Sequence, residues 1–187
     1  MVGTGLPHAV QRPYRPVLGD KHPGSLGQPG RECWSEIWDI LKPLVDTPFG
    51  GGPSTWSDDL ALEINRHGFV EETHFTVAYS PVPDETASNG IGGVLATVHE
   101  ITDKVIAERR VQALRDLGLR SGEARTAEAA CGIAAQSLAL FPKDIPFALI
   151  YLLDEGAATA RLAATAGCDA QQLYHPVEID LNSADQK

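Results

Sequence analysis

Thr73-His74-Phe75-Thr76-Val77-Ala78-Tyr79-Ser80 sets Thr73, Phe75, Val77 and Tyr79 in alternation with His74, Thr76, Ala78 and Ser80. Successive side chains of an extended chain point to opposite faces, so this period of two predicts a half-buried strand. Upstream, Asn65-Arg66-His67-Gly68 supplies turn chemistry. Before it, Trp56, Leu60, Leu62 and Ile64 alternate with Ser57, Asp59, Ala61 and Glu63, which predicts a partner strand carrying those four apolar residues on one face. Downstream, the polar break from Pro83 to Gly90 leads into Ile91-Gly92-Gly93-Val94-Leu95-Ala96-Thr97-Val98, a third apolar run rich in β-branched residues. Three consecutive strands with short links predict an antiparallel meander with helices on one face, an α+β fold.

Both flanks of the meander read as helical. Trp34, Ile37, Trp38, Leu41, Leu44 and Val45 fall on one face of a helix, and Pro43 is expected to split it in two. Gly50-Gly51-Gly52-Pro53 then ends the helical region. From Met1 to Gly30 prolines and glycines recur every few residues, so this stretch is expected to be loop-rich, with one short turn of helix near Tyr14 to Leu18.

After the third strand, Thr102 or Asp103 can cap a helix running through Val105 to about Leu119. Ala107, Val111, Leu114 and Gly118 recur in steps of four and three, the layout of a short coiled-coil seam. Arg109, Arg110 and Arg115, with Glu108 and Asp116 beside them, read as the solvated face of that helix. Ser121-Gly122 ends it. Thr126 then caps an alanine-rich helix to about Phe141, with Ala130, Ala134, Leu138 and Phe141 as its expected buried stripe. Pro142 to Pro146 breaks that helix, Phe147 to Leu153 reads as a fully buried strand, Asp154-Glu155-Gly156 as a turn, and Ala160 to Ala164 as the hairpin partner. From Gly167 to Lys187 the pattern weakens. One helix and two strands cannot bury a core, so this second domain is expected to stop before it is complete.

Composition excludes several function classes. The 187 residues include 15 Lys and Arg against 25 Asp and Glu, a net charge of -10, which repels a nucleic-acid backbone or an anionic bilayer. Phe147 to Leu153 is the longest apolar run, far short of the ~20 residues of a membrane span. Met1-Val2-Gly3-Thr4-Gly5 lacks the basic start and apolar stretch of a secretory signal, so the expected compartment is the cytoplasm. Cys33, Cys131 and Cys168 are far apart with no C-x-x-C pair, which suits reduced, buried thiols rather than disulfides or a metal site.

The search for catalytic chemistry returns nothing specific. Gly50-Gly51-Gly52-Pro53-Ser54-Thr55 lacks a phosphate-reaching lysine, and Gly90-Ile91-Gly92-Gly93 leads into a strand instead of opening a helix. Neither G-x-S-x-G nor H-E-x-x-H occurs. His99-Glu100 matches the start of a phosphoacceptor motif but ends a strand, where that chemistry needs an exposed helix. His67 and His74 have no second ligand at a useful spacing, so they read as solvated or hydrogen-bonded histidines, and no metal or cofactor is expected. Trp34, Trp38, Trp56, Phe75 and Tyr79 are the residues that can line a small cavity between helices and sheet. Plain core packing is the competing reading.

Several short motifs, taken in order, resemble the PAS domain of a bacterial sensor histidine kinase family. They are Tyr14-Arg15-Pro16-Val17-Leu18-Gly19, Glu32-Cys33-Trp34-Ser35-Glu36-Ile37-Trp38, Trp56-Ser57-Asp58-Asp59, Glu71-Glu72-Thr73-His74-Phe75, Tyr79-Ser80-Pro81-Val82 and Gly92-Gly93-Val94. Glu100-Ile101-Thr102-Asp103 resembles the exit from the last PAS strand into a signalling helix. Arg115-Asp116-Leu117-Gly118, Ala127-Glu128-Ala129-Ala130-Cys131 and Phe147-Ala148-Leu149-Ile150-Tyr151-Leu152-Leu153 are similar to the entry into a GAF domain and its first strand.

The resemblance implies an irregular N-terminus (1–13), a PAS domain lacking its first two strands (14–103), a connector helix (104–122) and a truncated GAF domain (123–187). It implies a fragment of a cytoplasmic signalling protein, one that can self-associate through uncovered sheet edges. This chain would not itself be an enzyme. It would be the sensory input of a histidine kinase in a two-component phosphorelay, with Trp38, Trp56, Phe75 and Tyr79 facing the ligand cavity and Glu100, Thr102 and Asp103 forming the signal exit. The implied partners are a second copy through the connector helix and, through a kinase part not in this sequence, a response regulator. A flavin photosensor is disfavoured, because Gly30-Arg31-Glu32-Cys33-Trp34 lacks the Asn-Cys-Arg motif. The alternatives are the same module ahead of a cyclase or phosphatase, or a free-standing interaction scaffold.

Overall fold

The computed structural model describes residues 12–121, 124–156, 158–168 and 176–182. The expected irregular N-terminus, up to residue 11, lies outside them. The chain is a mixed α+β protein that divides into two compact units, the first ending at Val105 and the second beginning at Ile106.

The first unit is built on an antiparallel sheet of β1 (Thr55–Asn65), β2 (Val70–Pro83) and β3 (Ile91–Glu100), in that order. β2 behaves as its alternation dictates: Thr73, Phe75, Val77 and Tyr79 are all buried. β1 departs from its sequence pattern at one point. Ser57 pairs with Val77 but Leu60 pairs with Phe75, so three steps along β1 match two along β2. This bulge inserts one residue and reverses the facing of everything before it. Leu60, Leu62 and Ile64 therefore face the core, whereas Trp56 pairs with Ala78 on the opposite face and is 63% exposed.

Short helical pieces cover the inner face: α1 (Arg15–Leu18), flanked by single 3-10 turns, then α2 (Gly30–Cys33), a 3-10 turn at Ser35–Ile37, and α3 (Trp38–Phe49). The helix is not split at Pro43. It is broken earlier, where Trp34 and Ile37 leave helical geometry and both become buried, and α3 then runs unbroken through Pro43 and Pro48. A proline removes one backbone donor, and Leu41, Leu44 and Val45 of α3 still pack against the core on either side of it. Thr47 Oγ1 donates to the Pro43 carbonyl at 2.8 Å.

From β3 the chain passes through Ile101 into α4 (Thr102–Ser121). Ala107, Val111, Leu114 and Gly118 are all exposed, Leu114 at 68%. Arg110 and Arg115 are exposed together with Glu108, as a solvated face requires, and Arg109 alone of the three arginines is drawn in: its Nε donates to Asp144, and Arg110 Nε lies 3.4 Å from the same carboxylate.

In the second unit, α5 (Ala127–Leu138) is capped by Thr126, whose hydroxyl oxygen accepts from the Ala129 amide at 3.1 Å. Its buried residues are Cys131, Ala135 and Ser137, whereas the expected stripe of Ala130, Ala134, Leu138 and Phe141 is only half-buried. Ser137 tolerates burial because its hydroxyl donates to the Ile133 carbonyl at 2.9 Å. The second sheet has the order β4 (Ala148–Leu153), β5 (Thr159–Ala166) and β6 (Glu178–Asp180), all antiparallel. β4 is not fully buried: as an edge strand pairing with β5 alone among the described residues, it is half-buried from Ala148 to Leu152 and exposed at Leu153. β6 adds a third strand where the sequence pattern had faded, in three residues too few to show a period.

Candidate functional site

Two features of the first unit bear on function, and the β2 strand joins them. The first is a void between the helical layer and the sheet, lined by Tyr14, Val17, Trp34, Phe75 and Tyr79 among others. Its volume is about 20 Å³, room for about one water molecule. The wall is apolar apart from two phenols. Burial pushes the Tyr79 hydroxyl up to about 12, and burial together with Tyr79 pushes Tyr14 higher still, so both stay neutral and act only as hydrogen-bonding groups.

Of the four aromatic residues expected to face a cavity, Phe75 and Tyr79 line this void. Trp38 packs half-buried against the same core without reaching the void. Trp56 is on the far side of the sheet, turned there by the β1 bulge. Trp34 completes the aromatic lining, and the Lys21 ammonium sits 4.8 Å from the centre of a Trp34 ring.

The second feature is the junction where β3 becomes α4. Glu100, the last residue of β3, receives two parallel hydrogen bonds from Arg66: Nη1 to Oε2 at 2.8 Å and Nη2 to Oε1 at 2.9 Å. This fork-to-fork geometry is specific to a guanidinium and a carboxylate. Thr102 Oγ1 donates to Glu100 Oε1 at 2.9 Å and accepts from the His74 backbone amide at 3.0 Å. The Ile101 amide donates to the His74 carbonyl at 2.8 Å. The first turn of α4 is thus tied to the middle of β2 and, through Glu100, to the β1–β2 turn. Asp103 stands exposed in that first turn.

The charges at the junction reinforce one another. Hydrogen bonds from Arg66, working against burial, hold the Glu100 carboxyl below its ordinary value, and the Glu100 bonds raise Arg66 in return. Arg66 Nε also donates to Glu71 Oε2 at 3.2 Å, and His67 Nδ1 lies 2.6 Å from Glu71 Oε1. Burial would raise Glu71, yet His67 and Arg66 together keep it below the usual carboxylate range.

Of Glu100, Thr102 and Asp103, the residues expected at the end of the last strand, the structure brings Glu100 and Thr102 into hydrogen-bond contact at the β3–α4 junction and leaves Asp103 outside that set. Sequence reading assigns no role there to Arg66 or Glu71, and it reads His74 as a solvated or hydrogen-bonded histidine. His74 is buried, with Nδ1 2.6 Å from Asp59, at the β1 bulge, and Nε2 3.3 Å from Glu72. The available signal for Arg66 is an arginine inside a four-residue turn, two residues before Gly68, because such a position rarely needs a long cation for the turn itself.

Among the described residues, no group of three His, Cys, Asp or Glu side chains is placed to hold a metal ion. Among those residues, too, no helix is long and apolar enough to cross a membrane. His99 lies exposed in β3 and not on a helix. The junction is a set of ion pairs and hydrogen bonds around the residues where α4 begins. Comparison with known protein families and with curated proteins gives no match for this chain.

Proposed function

We propose that the chain is the signal-input part of a cytoplasmic signal-transduction histidine kinase, with a PAS-like first unit, α4 as the transmitting helix and a GAF-like second unit. One observation carries this reading: the last strand of the first sheet runs directly into a 20-residue helix whose first turn is locked by Arg66, Glu100, Thr102 and His74. A helix anchored at one end by a breakable polar set is the kind of two-state element that relay requires. The void holds about one water molecule, so sensing an organic ligand would require the helical layer to move outward. Sensing a partner would not.

The test is to place all 187 residues ahead of a soluble kinase transmitter and follow autophosphorylation with ATP. Glu100→Gln, which weakens the junction without adding bulk, is expected to change the phosphorylation rate severalfold. Equal rates in the two fusions would sink the relay reading.

A second reading, a dimeric interaction scaffold, is favoured by the exposed apolar row Ala107, Val111, Leu114 and Gly118 on α4. It predicts concentration-dependent dimerisation of the chain alone, measured by sedimentation and abolished by Leu114→Glu. A chain that stays monomeric at high concentration removes it.

A further inference from the structure

The Tyr14–Lys21 segment touches both features described above. On one side, Tyr14 and Val17 line the void, and Leu18 is wholly buried beside them. On the other, the Pro16 carbonyl lies 3.4 Å from Arg66 Nη1, and the Asp20 amide donates to the Arg66 carbonyl at 2.8 Å. The approach is close enough to require glycine. Gly19 has φ +53°, and a Cβ there would stand 2.3 Å from the Arg66 carbonyl oxygen. Arg66 Nη1 is also the nitrogen that holds Glu100 Oε2, so a single donor group answers both to Pro16 and to the start of α4.

We propose that Arg66 is a positioning residue that couples the Tyr14–Lys21 segment to the first turn of α4, so that a change at the void loosens or tightens that turn. The inference rests on reading α4 as the transmitting helix, and it supplies the route by which the void is sensed. The void and the exit share no side chain, since Glu100, Thr102 and Asp103 do not line it. A shift of the segment as a whole carries with it the Pro16 carbonyl and the Asp20 amide, both of which bear on Arg66. Arg66 has two carboxylate partners besides, Glu71 and Glu100, so a lost contact redistributes its donors instead of leaving them idle.

Native-state hydrogen exchange of the full chain tests the idea without ligand, dimer or kinase. Val17→Ala perturbs the void from the segment side and leaves every junction group in place. It is expected to speed exchange at the Asp20 amide and also, by roughly fivefold or more, at the Ile101 and Val105 amides. In an Arg66→Lys background, which keeps the charge but loses the two-point grip, the added effect of Val17→Ala on Ile101 and Val105 should vanish. Tyr14→Phe, a smaller change at the same void, repeats the comparison should Val17→Ala fold poorly. Acceleration confined to the segment overturns the proposal, as does an equal effect in both backgrounds or a uniform rise that includes the centre of β2. If this coupling fails while the kinase fusion still responds to Glu100→Gln, the signal enters elsewhere. If the coupling holds and the fusion is silent, the relay reading alone is lost.

Discussion

The Arg66 guanidinium and the Glu100 carboxylate meet through two parallel hydrogen bonds of 2.8 and 2.9 Å across 34 residues of sequence. The pair is neither a surface bridge nor a sealed one, with side-chain exposures of 12% and 26%. That intermediate setting decides its worth. Exposed pairs contribute little, and sealed pairs spend most of their attraction on desolvation.

Arg66→Ala is accordingly expected to destabilise the first unit by about 2 kcal/mol, the scale of hydrogen bonds to charged groups. Arg66→Lys should recover part of this, because an ammonium supplies charge without the fork. Urea titration of the full chain, followed by the fluorescence of buried Trp34, measures both. Equal midpoints for wild type and Arg66→Ala would mean that the pair is energetically idle.

Acid should weaken the same junction. Glu100 and Glu71 both titrate below the ordinary carboxylate value when folded, so on acidification the unfolded chain takes up protons first. Their contribution is complete above the ordinary glutamate value, declines as pH falls beneath it, and is spent once pH passes below the folded values. The stability gap between wild type and Glu100→Gln should therefore be largest at neutral pH and close as pH falls below the folded value of Glu100. A gap that widens in acid would contradict the assignment.

Trp56 and Phe75 make a contrasting pair of substitutions. Trp56 is 63% exposed beyond the bulge and Phe75 is 1% exposed at the centre of the core. Trp56→Ala should change stability by about 0.5 kcal/mol or less, and Phe75→Ala should cost about 3–5 kcal/mol. Trp56 should also be readily quenched by acrylamide, which single-tryptophan variants would show.

These residues also mark where sequence reading succeeds and where it stops. Thr73 to Tyr79 was legible because its alternation is unbroken and its strand is central, so local pattern and tertiary burial coincide. Trp56 continued the parity of Leu60, Leu62 and Ile64, but a bulge is a property of two paired strands and leaves no mark in one of them. Pro43 was read by its local cost, which packing of Leu41, Leu44 and Val45 outweighs. Phe147 to Leu153 has the continuous apolar composition of a strand covered on both faces, yet it stands at the edge of its sheet. Glu100 and Thr102 were found by motif, whereas Arg66 belongs to the site only through a contact that local spacing cannot encode.

The second unit offers an independent prediction at Asp144. Its carboxylate is 9% exposed and accepts from Arg109 and Arg110, which fasten the middle of α4 to the turn after α5. Hydrogen bonding from Arg109 holds its carboxyl below the usual range, so it remains charged across neutral and mildly acidic pH. Asp144→Ala leaves two arginines without their shared acceptor and should cost the second unit about 1–3 kcal/mol. Asp144→Asn, which keeps one acceptor oxygen, should cost less. All three tryptophans lie in the first unit, so a fluorescence midpoint reports that unit and not the second. Hydrogen exchange should instead quicken at the Ile145 amide, bonded to the Phe141 carbonyl, and remain unchanged at Ile101. Equal acceleration at both amides would show that the units do not unfold independently, and no acceleration at Ile145 would show that the arginines hold nothing in place.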